Sequence, residues 1–169
     1  ADGRLAKLSE PAFNLPLAGD VLGLGADRQG LLAAVSAHDS PEPIAPSLQR
    51  FRPGASEPET IELPSANHSD AGSIAVAYVD SDDYLDVFVA GRGIPSKYPQ
   101  SASSWLLSGG PGGLKLDAGQ SALFANIGLV TAAVFVNLDD DLLPELALAT
   151  EWGPIRIFKN NGGKFTDAT

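Results

Sequence analysis

The chain has 169 residues, 44% of them hydrophobic, and a formal net charge of −10. The hydrophobic content predicts a folded globular protein, and the negative charge argues against nucleic acid or an anionic membrane as a partner, because both attract clustered Lys and Arg. The absence of cysteine excludes a disulfide framework, a thiol nucleophile and a zinc–thiolate site.

Short strands separated by turns are predicted along the chain, as in an all-β protein with 18 glycines and 13 prolines. Residues 1–18, interrupted by Pro11 and Pro16, are predicted to be a lead-in or a lone edge strand. A first unit of four strands occupies residues 19–64. Its strands are predicted at Val21–Leu24, Leu31–Ala37, Leu48–Arg52 and Thr60–Leu63, with a turn at Gly25–Gly30.

The same order of strands and turns is found twice more, after a polar connection at Ser65–Gly72. The second unit, residues 72–118, has predicted strands at Ile74–Val79, Asp86–Ala90, Ser104–Leu107 and Leu114–Leu116. The third unit, residues 129–169, has predicted strands at Thr131–Val136, Glu145–Ala149, Pro154–Phe158 and Lys164–Thr166.

Two features of the units align independently. Gly25, Asp80 and Asn137 are taken as equivalent first positions of the first loop, at spacings of about 55 and 57 residues. The third strands SLQRFRPG, SSWLLSGG and GPIRIFKN stand at matching offsets, each followed by a turn that contains glycine. Four short strands at this period predict three blades of a β-propeller, and an evenly spaced β-sandwich is the alternative.

Acidic residues concentrate in two loops, which indicates cation sites more than a solubilising coat. In the third unit, Asn137, Asp139, Asp141 and Glu145 occupy positions 1, 3, 5 and 9 of the loop. With the Leu143 carbonyl they would offer four to five oxygens, a donor set that suits calcium. A solvated acidic hairpin is the alternative. The acidic residues of the two loops are Asp80, Asp82, Asp83, Asp86, Asp139, Asp140, Asp141 and Glu145.

The loop of the second unit aligns in two ways. Alignment on the incoming strand puts Asp80 at position 1 and implies a deletion of two residues, and this alignment is preferred because AYVD and VFVN then match. Alignment on the outgoing strand puts Tyr78 at position 1 and Asp80, Asp82 and Asp86 at 3, 5 and 9. In both cases these three carboxylates are candidate ligands, and an empty acidic turn is equally open.

The loop of the first unit, GADRQGLLA, keeps only Asp27 as a carboxylate, at position 3. One carboxylate cannot hold calcium, so this loop is predicted to be structural.

The units resemble FG-GAP/VCBS repeats, the blades of integrin-α-type propellers, whose mark is D-x-D-x-D-G-x-x-D-L between two strands. NLDDDLLPEL at 137–146 matches with Asn first and Glu last, and 151–169 resembles the closing half of such repeats. The resemblance covers Ile74–Thr169, and the earlier unit joins it by periodicity. It implies a propeller fold, calcium in the loop, a secreted, extracellular or periplasmic setting, and a role in adhesion or recognition. Leu142 replaces the family's glycine, where φ > 0 would strain a leucine.

Residues suited to catalysis are sparse. His38 and His68 are the two histidines, both in polar loops and without the spacing of a catalytic triad. Trp105 is predicted to lie in the core and Trp152 at the surface. The chain is therefore predicted to be non-enzymatic. The alternative is part of a propeller enzyme, a lyase or hydrolase acting on a glycan.

Three blades do not close a ring, since propellers have four to eight. The sheets at the two ends are expected to expose faces that a protein or glycan partner, or further copies of the chain, would cover. A homo-oligomer or fibre is expected on the same ground. The longest apolar run, Leu129–Val136, is too short to span a bilayer. A start at Ala1 without a basic leader suggests a processed or trimmed chain.

Overall fold

The computed structural model describes Leu17 and residues 19–36, 45–64 and 69–169. These residues form three antiparallel sheets of four strands each, which confirms the all-β class. The described sheets do not form a closed ring. The predicted lead-in, except for Leu17, and both histidines lie outside the described residues.

Each sheet is built from strands that are consecutive in the chain. The first contains β1 (Asp20–Asp27), β2 (Gly30–Ser36), β3 (Ser47–Phe51) and β4 (Glu59–Glu62). The second contains β5 (Asp70–Ala77), β6 (Asp86–Gly93), β7 (Trp105–Ser108) and β8 (Lys115–Leu116). The third contains β9 (Leu129–Val136), β10 (Glu145–Glu151), β11 (Arg156–Asn160) and β12 (Phe165–Asp167).

The strands differ from the predicted ones chiefly at their ends. Strand β1 continues to Asp27 because it pairs with β2 as far as Asp27↔Gly30, so the predicted turn at Gly25–Gly30 shrinks to two residues. Strand β5 begins at Asp70, inside the segment predicted to be a polar connection, because Asp70 pairs with Gly93 of β6. Backbone pairing extends these strands into polar sequence that shows no apolar alternation.

The second sheet lies between the other two and packs an apolar face on each. Successive side chains of a strand point to opposite faces, so β6 serves both interfaces. The cluster between the first and second sheets includes Leu32, Ala34, Leu48, Val87, Val89, Trp105 and Leu107. The cluster between the second and third sheets includes Phe88, Ala90, Leu106, Leu146, Leu148 and Phe158. Trp105 is buried, as predicted, and Trp152 is exposed, as predicted.

The connection between the second and third sheets is helical, a feature absent from the sequence prediction. A short helix, α1 (Ala118–Ser121), is capped by Asp117, whose carboxylate accepts from the Gln120 N–H at 2.9 Å. A 3₁₀ turn over Ala122–Phe124 follows and buries Phe124 completely. No helix among the described residues is long and apolar enough to cross a membrane.

The two outer sheet faces differ. On the first sheet, Ala33, Val35 and Phe51 are buried in a separate cluster with Val21 and Leu31, whereas Leu24, paired with Ala33, is 62% exposed. On the third sheet, Val134 is 52% exposed. Apolar side chains are thus open to solvent on both outer sheets, at Leu24 of the first and Val134 of the third.

Candidate functional site

The loop between β9 and β10 is held by a chain of side-chain hydrogen bonds. The Oδ1 of Asn137 accepts from the Asp139 N–H at 3.2 Å, and the Oδ1 of Asp139 accepts from the Asp141 N–H at 3.0 Å. The Oδ1 of Asp141 accepts from the Leu143 N–H at 2.7 Å. Each aspartate uses one oxygen to fold the loop and keeps the other, Oδ2, for another partner.

Three carboxylates of this loop come together. Oxygens of Asp139, Asp141 and Glu145 lie within 4.8 Å of one another, a group that could hold a metal ion. Glu145 is buried at the start of β10, and its Oε2 accepts from the Leu138 N–H at 2.9 Å. A fixed glutamate below two exposed aspartates forms an all-oxygen cup of the kind that hard cations prefer.

A cation from β11 already contacts these carboxylates. The Lys159 Nζ donates to the Oδ2 of Asp139, lies 3.1 Å from the Oδ2 of Asp141 and 3.9 Å from the Oε1 of Glu145. The hydrogen bond from Lys159 lowers the pKa of Asp139, and the two aspartates raise the pKa of Lys159. Sequence reasoning missed Lys159, which is distant along the chain and reaches the loop only because β10 and β11 are paired.

The other two predicted ligands of this loop, the Asn137 side chain and the Leu143 carbonyl, stay predictions. The Nδ2 of Asn137 donates to the Asp141 carbonyl, and its Oδ1 accepts from the Asp139 N–H. Leu143 donates its N–H to Asp141. Leu142 has a negative φ and is 97% exposed, so the predicted backbone strain is wrong. This turn closes in a conformation that leucine adopts without cost.

The loop between β5 and β6 repeats the same scheme. The Oδ1 of Asp80 accepts from the Asp82 N–H at 2.9 Å, and the Oδ1 of Asp82 accepts from the Tyr84 N–H at 2.8 Å. Ala77 pairs with Asp86 as Val136 pairs with Glu145, which makes Tyr78 the equivalent of Asn137. The alignment on the outgoing strand is therefore right, and the preferred two-residue deletion is wrong. Backbone pairing at the foot of the hairpin sets the register.

The carboxylates of this second loop do not converge as those of the third do. Within the described part of the chain, Asp80, Asp82 and Asp86 form no group of three within the 4.8 Å reached in the third loop. Asp86 is buried, and its two oxygens accept from the N–H groups of Val79 at 3.2 Å and Gly109 at 2.9 Å. Burial raises the pKa of Asp86. Asp86 therefore stabilises the turn by accepting hydrogen bonds from two backbone N–H groups.

No family model, curated protein or solved structure matches this chain. The chemistry of the two loops follows from their own geometry. Both loops share one hydrogen-bond scheme, but a lysine lies at the carboxylates of the third loop alone: by strand pairing, the position of Lys159 corresponds to Ser108 in the second sheet.

The buried side chain of Asn160 ties the two loops together. Its Nδ2 donates to the carbonyl of Val79 at 2.7 Å and to that of Pro144 at 3.1 Å. Its Oδ1 accepts from the Gly163 N–H at 2.8 Å. Asn160 stands at the start of the glycine-containing turn that is predicted after the third strand of the last unit.

The first hairpin has a structural role, as predicted, but the alignment of its loop is wrong. Asp27 ends β1 and its Oδ1 accepts from the N–H groups of Gln29 at 2.8 Å and Gly30 at 2.9 Å. Its Oδ2 lies 2.7 Å from the buried guanidinium of Arg50. Asp27 therefore corresponds to Ala77 and Val136, at the last pair of the hairpin.

Proposed function

We propose that this chain is a non-enzymatic, calcium-binding repeat module of the β-propeller type that serves recognition or assembly. The observation that carries the proposal is the convergence of Asp139, Asp141 and Glu145 at one loop. An extracellular or periplasmic setting follows from the resemblance to FG-GAP/VCBS repeats.

Calcium suits the donor set better than a transition metal, because every converging donor is a carboxylate oxygen. The Oδ2 atoms of Asp139 and Asp141, which Lys159 contacts in its absence, and the glutamate would provide part of a shell of six to eight oxygens around calcium, and water would complete it. Lys159 is half-exposed and carries a flexible stem, so its ammonium can leave the cup for solvent when a divalent ion enters. In this proposal Lys159 balances the loop charge until calcium takes its place.

The competing interpretation is that Lys159 is the permanent cation of the cup. It is favoured by the three contacts that the ammonium makes with the same carboxylates. The loop would then be an ion-pair network that closes the hairpin without metal.

Calcium titrations distinguish the two interpretations. Isothermal calorimetry and thermal unfolding with calcium should show binding and a rise in melting temperature for the wild type. The double variant Asp139→Ala/Asp141→Ala should lose both effects, and Asp140→Ala, in the same loop but outside the group, should keep them. Lys159→Met should bind calcium about tenfold more tightly, since the competing ammonium is gone. Absence of calcium binding in both the wild type and Lys159→Met would rule out the cation site.

The assembly part of the proposal rests on the outer face of the third sheet. Strand pairing makes Ala147, Ala149 and Ile157 the equivalents of Phe88, Ala90 and Leu106, the residues through which the second sheet packs on the third. A further sheet, from a partner or from a second copy, would cover this face.

Sedimentation measurements test assembly directly. A second copy on this face would give a concentration-dependent dimer that Val134→Asp dissociates. Leu138→Asp is the matched control, because Leu138 is 53% exposed and lies in the loop instead of on the sheet face. If the chain is a monomer at all concentrations, a second copy is excluded and a different partner is the remaining occupant of this face. If both variants dissociate the dimer, the sheet face is not the interface.

A further inference from the structure

A groove lies at the end of the sheets opposite the carboxylate loops. It has a volume of about 460 Å³ and is lined by residues from all three sheets, among them Leu22 of β1, Arg92 of β6 and Glu151 of β10. A neighbouring recess of about 380 Å³ shares Tyr98 and Glu151 with it and adds Trp152. These volumes fall in the range of about 300–1,000 Å³ that small-ligand sites occupy.

Four side chains form a hydrogen-bonded network along this groove. The Tyr98 hydroxyl donates to the Oε1 of Glu151 at 2.8 Å, and the Trp152 Nε1–H donates to the Tyr98 oxygen at 2.6 Å. The Arg92 guanidinium pairs with the Oε2 of Glu151 at 3.0 Å and so bridges the second and third sheets. The hydrogen bond from Tyr98, followed by that from Arg92, lowers the pKa of Glu151, which is therefore a carboxylate at neutral pH.

The aromatic rings of this network face solvent. Trp152 is 82% exposed and Tyr98 is 62% exposed, so the rings contribute little to the core. The Trp152 backbone has φ +62°, a left-handed conformation that a bulky residue rarely adopts. Trp152 thus keeps an unfavourable backbone conformation, exposes a large ring to water and has its ring nitrogen fixed by a hydrogen bond. These features are expected of a residue on which a ligand stacks.

We propose that this groove binds a saccharide. The C–H face of a sugar ring would stack on Trp152, while ring hydroxyls would donate to Glu151 and to the Tyr98 oxygen and accept from the remaining N–H groups of Arg92. Arg92 and Glu151 pair with each other, and Asp20, which also lines the groove, adds a carboxylate that can accept from further ring hydroxyls. An anion would have to break the pair of Arg92 and Glu151 to gain a partner and would also meet the Asp20 carboxylate. The site belongs to the recognition role proposed above but does not depend on cation binding, because it lies at the other end of the strands.

The two tryptophans make fluorescence a direct probe. Trp105 is buried and Trp152 is exposed, so a ligand on the groove should shift and protect the Trp152 emission alone. Soluble oligosaccharides with neutral, acidic and acetamido sugars (cellotetraose, alginate tetramer and chitotetraose) are titrated into the full chain in EDTA. We expect at least one to bind, with a decrease in acrylamide quenching.

Variants locate the binding. Trp152→Ala should weaken it at least tenfold, and Tyr98→Phe, which removes only the hydroxyl joining Trp152 to Glu151, should weaken it severalfold. Tyr84→Ala, an exposed tyrosine at the opposite end, is the matched control and should bind as the wild type does. Circular dichroism checks that each variant is folded. The proposal is overturned if none of the three saccharides binds, if Trp152→Ala binds equally well, or if a proline-rich peptide binds in their place. Loss of calcium binding alone leaves this result unchanged, so the two proposals fail separately.

Discussion

Replacing Asn160 should lower the free energy of unfolding more than replacing a nearby exposed residue does. Asn160 is 1% exposed, and its amide makes three side-chain hydrogen bonds, to Val79, Pro144 and Gly163. A hydrogen bond in a folded protein contributes about 1 kcal/mol net, and a buried group left without a partner costs about 1–3 kcal/mol. Asn160→Ala therefore removes about 3 kcal/mol from the free energy of unfolding.

Asn160→Asp refines this prediction, because it keeps the shape and removes the two N–H donors. Its carboxylate would face the Val79 and Pro144 carbonyls, so at pH 7 we expect a loss at least as large as that of the alanine variant. The assay is urea unfolding followed by tryptophan fluorescence.

The neighbouring Asn161 is the matched control for these variants. It is exposed, and its side chain makes only long hydrogen bonds, at 3.4 Å to the Lys164 carbonyl and 3.3 Å to Thr166. Asn161→Ala should change the free energy of unfolding by less than about 0.5 kcal/mol. If the Asn160 and Asn161 variants had equal stability, or if Asn160→Ala lost less than about 1 kcal/mol, the proposed tie between the two loops would be wrong.

Three further predictions concern single side chains. Phe124 stacks edge to face on Phe88 and Phe158, with centroids 5.2 and 5.1 Å away, so Phe124→Ala should cost about 4 kcal/mol in guanidinium unfolding. At Trp152, glycine should be more stable than alanine by about 1 kcal/mol in thermal unfolding, since both lack the indole and only glycine tolerates the positive φ. The folded-state pKa of Glu151 lies below its ordinary value of 4.5, so its contribution is present above that value and lost as the pH falls through the lower one. The melting temperatures of wild type and Glu151→Gln should therefore differ near pH 6 and converge as the pH falls below 4.5.

The repeat and the positions of the acidic loops could be predicted from the sequence because both are local patterns. The register of the second loop could not. The similarity of AYVD to VFVN suggested an alignment on the incoming strand, whereas the pair Ala77↔Asp86 aligns the outgoing strand. The spacing from each acidic run to the following strand was the better signal for the register. The hairpin closes at the first residue of that strand, which is Asp86 in the second sheet and Glu145 in the third.

Lys159 and Phe124 could not be predicted for a different reason. Each acts through contacts between segments that are far apart in the chain: Lys159 with the carboxylates across β10, and Phe124 with rings from two sheets. A single sequence shows a lysine in a strand and a phenylalanine in a polar connection, and neither pattern names the partner. Lys159 offsets part of the negative charge of the candidate cation site. The count of acidic residues in the loop, taken without this lysine, therefore overstated how much positive charge a metal would have to supply.

The two proposed sites share one strand, since β10 begins at Glu145 in the carboxylate group and ends at Glu151 in the groove. This strand is hydrogen-bonded to β9 on one side and β11 on the other. A ligand at one end can affect the other only if it favours a second conformation of the elements between them. Because a strand paired on both sides has no evident alternative arrangement, saccharide affinity should be equal in calcium and in EDTA. A difference greater than about fivefold would show that calcium changes the pairing of β10, and would place the groove under the control of the loop.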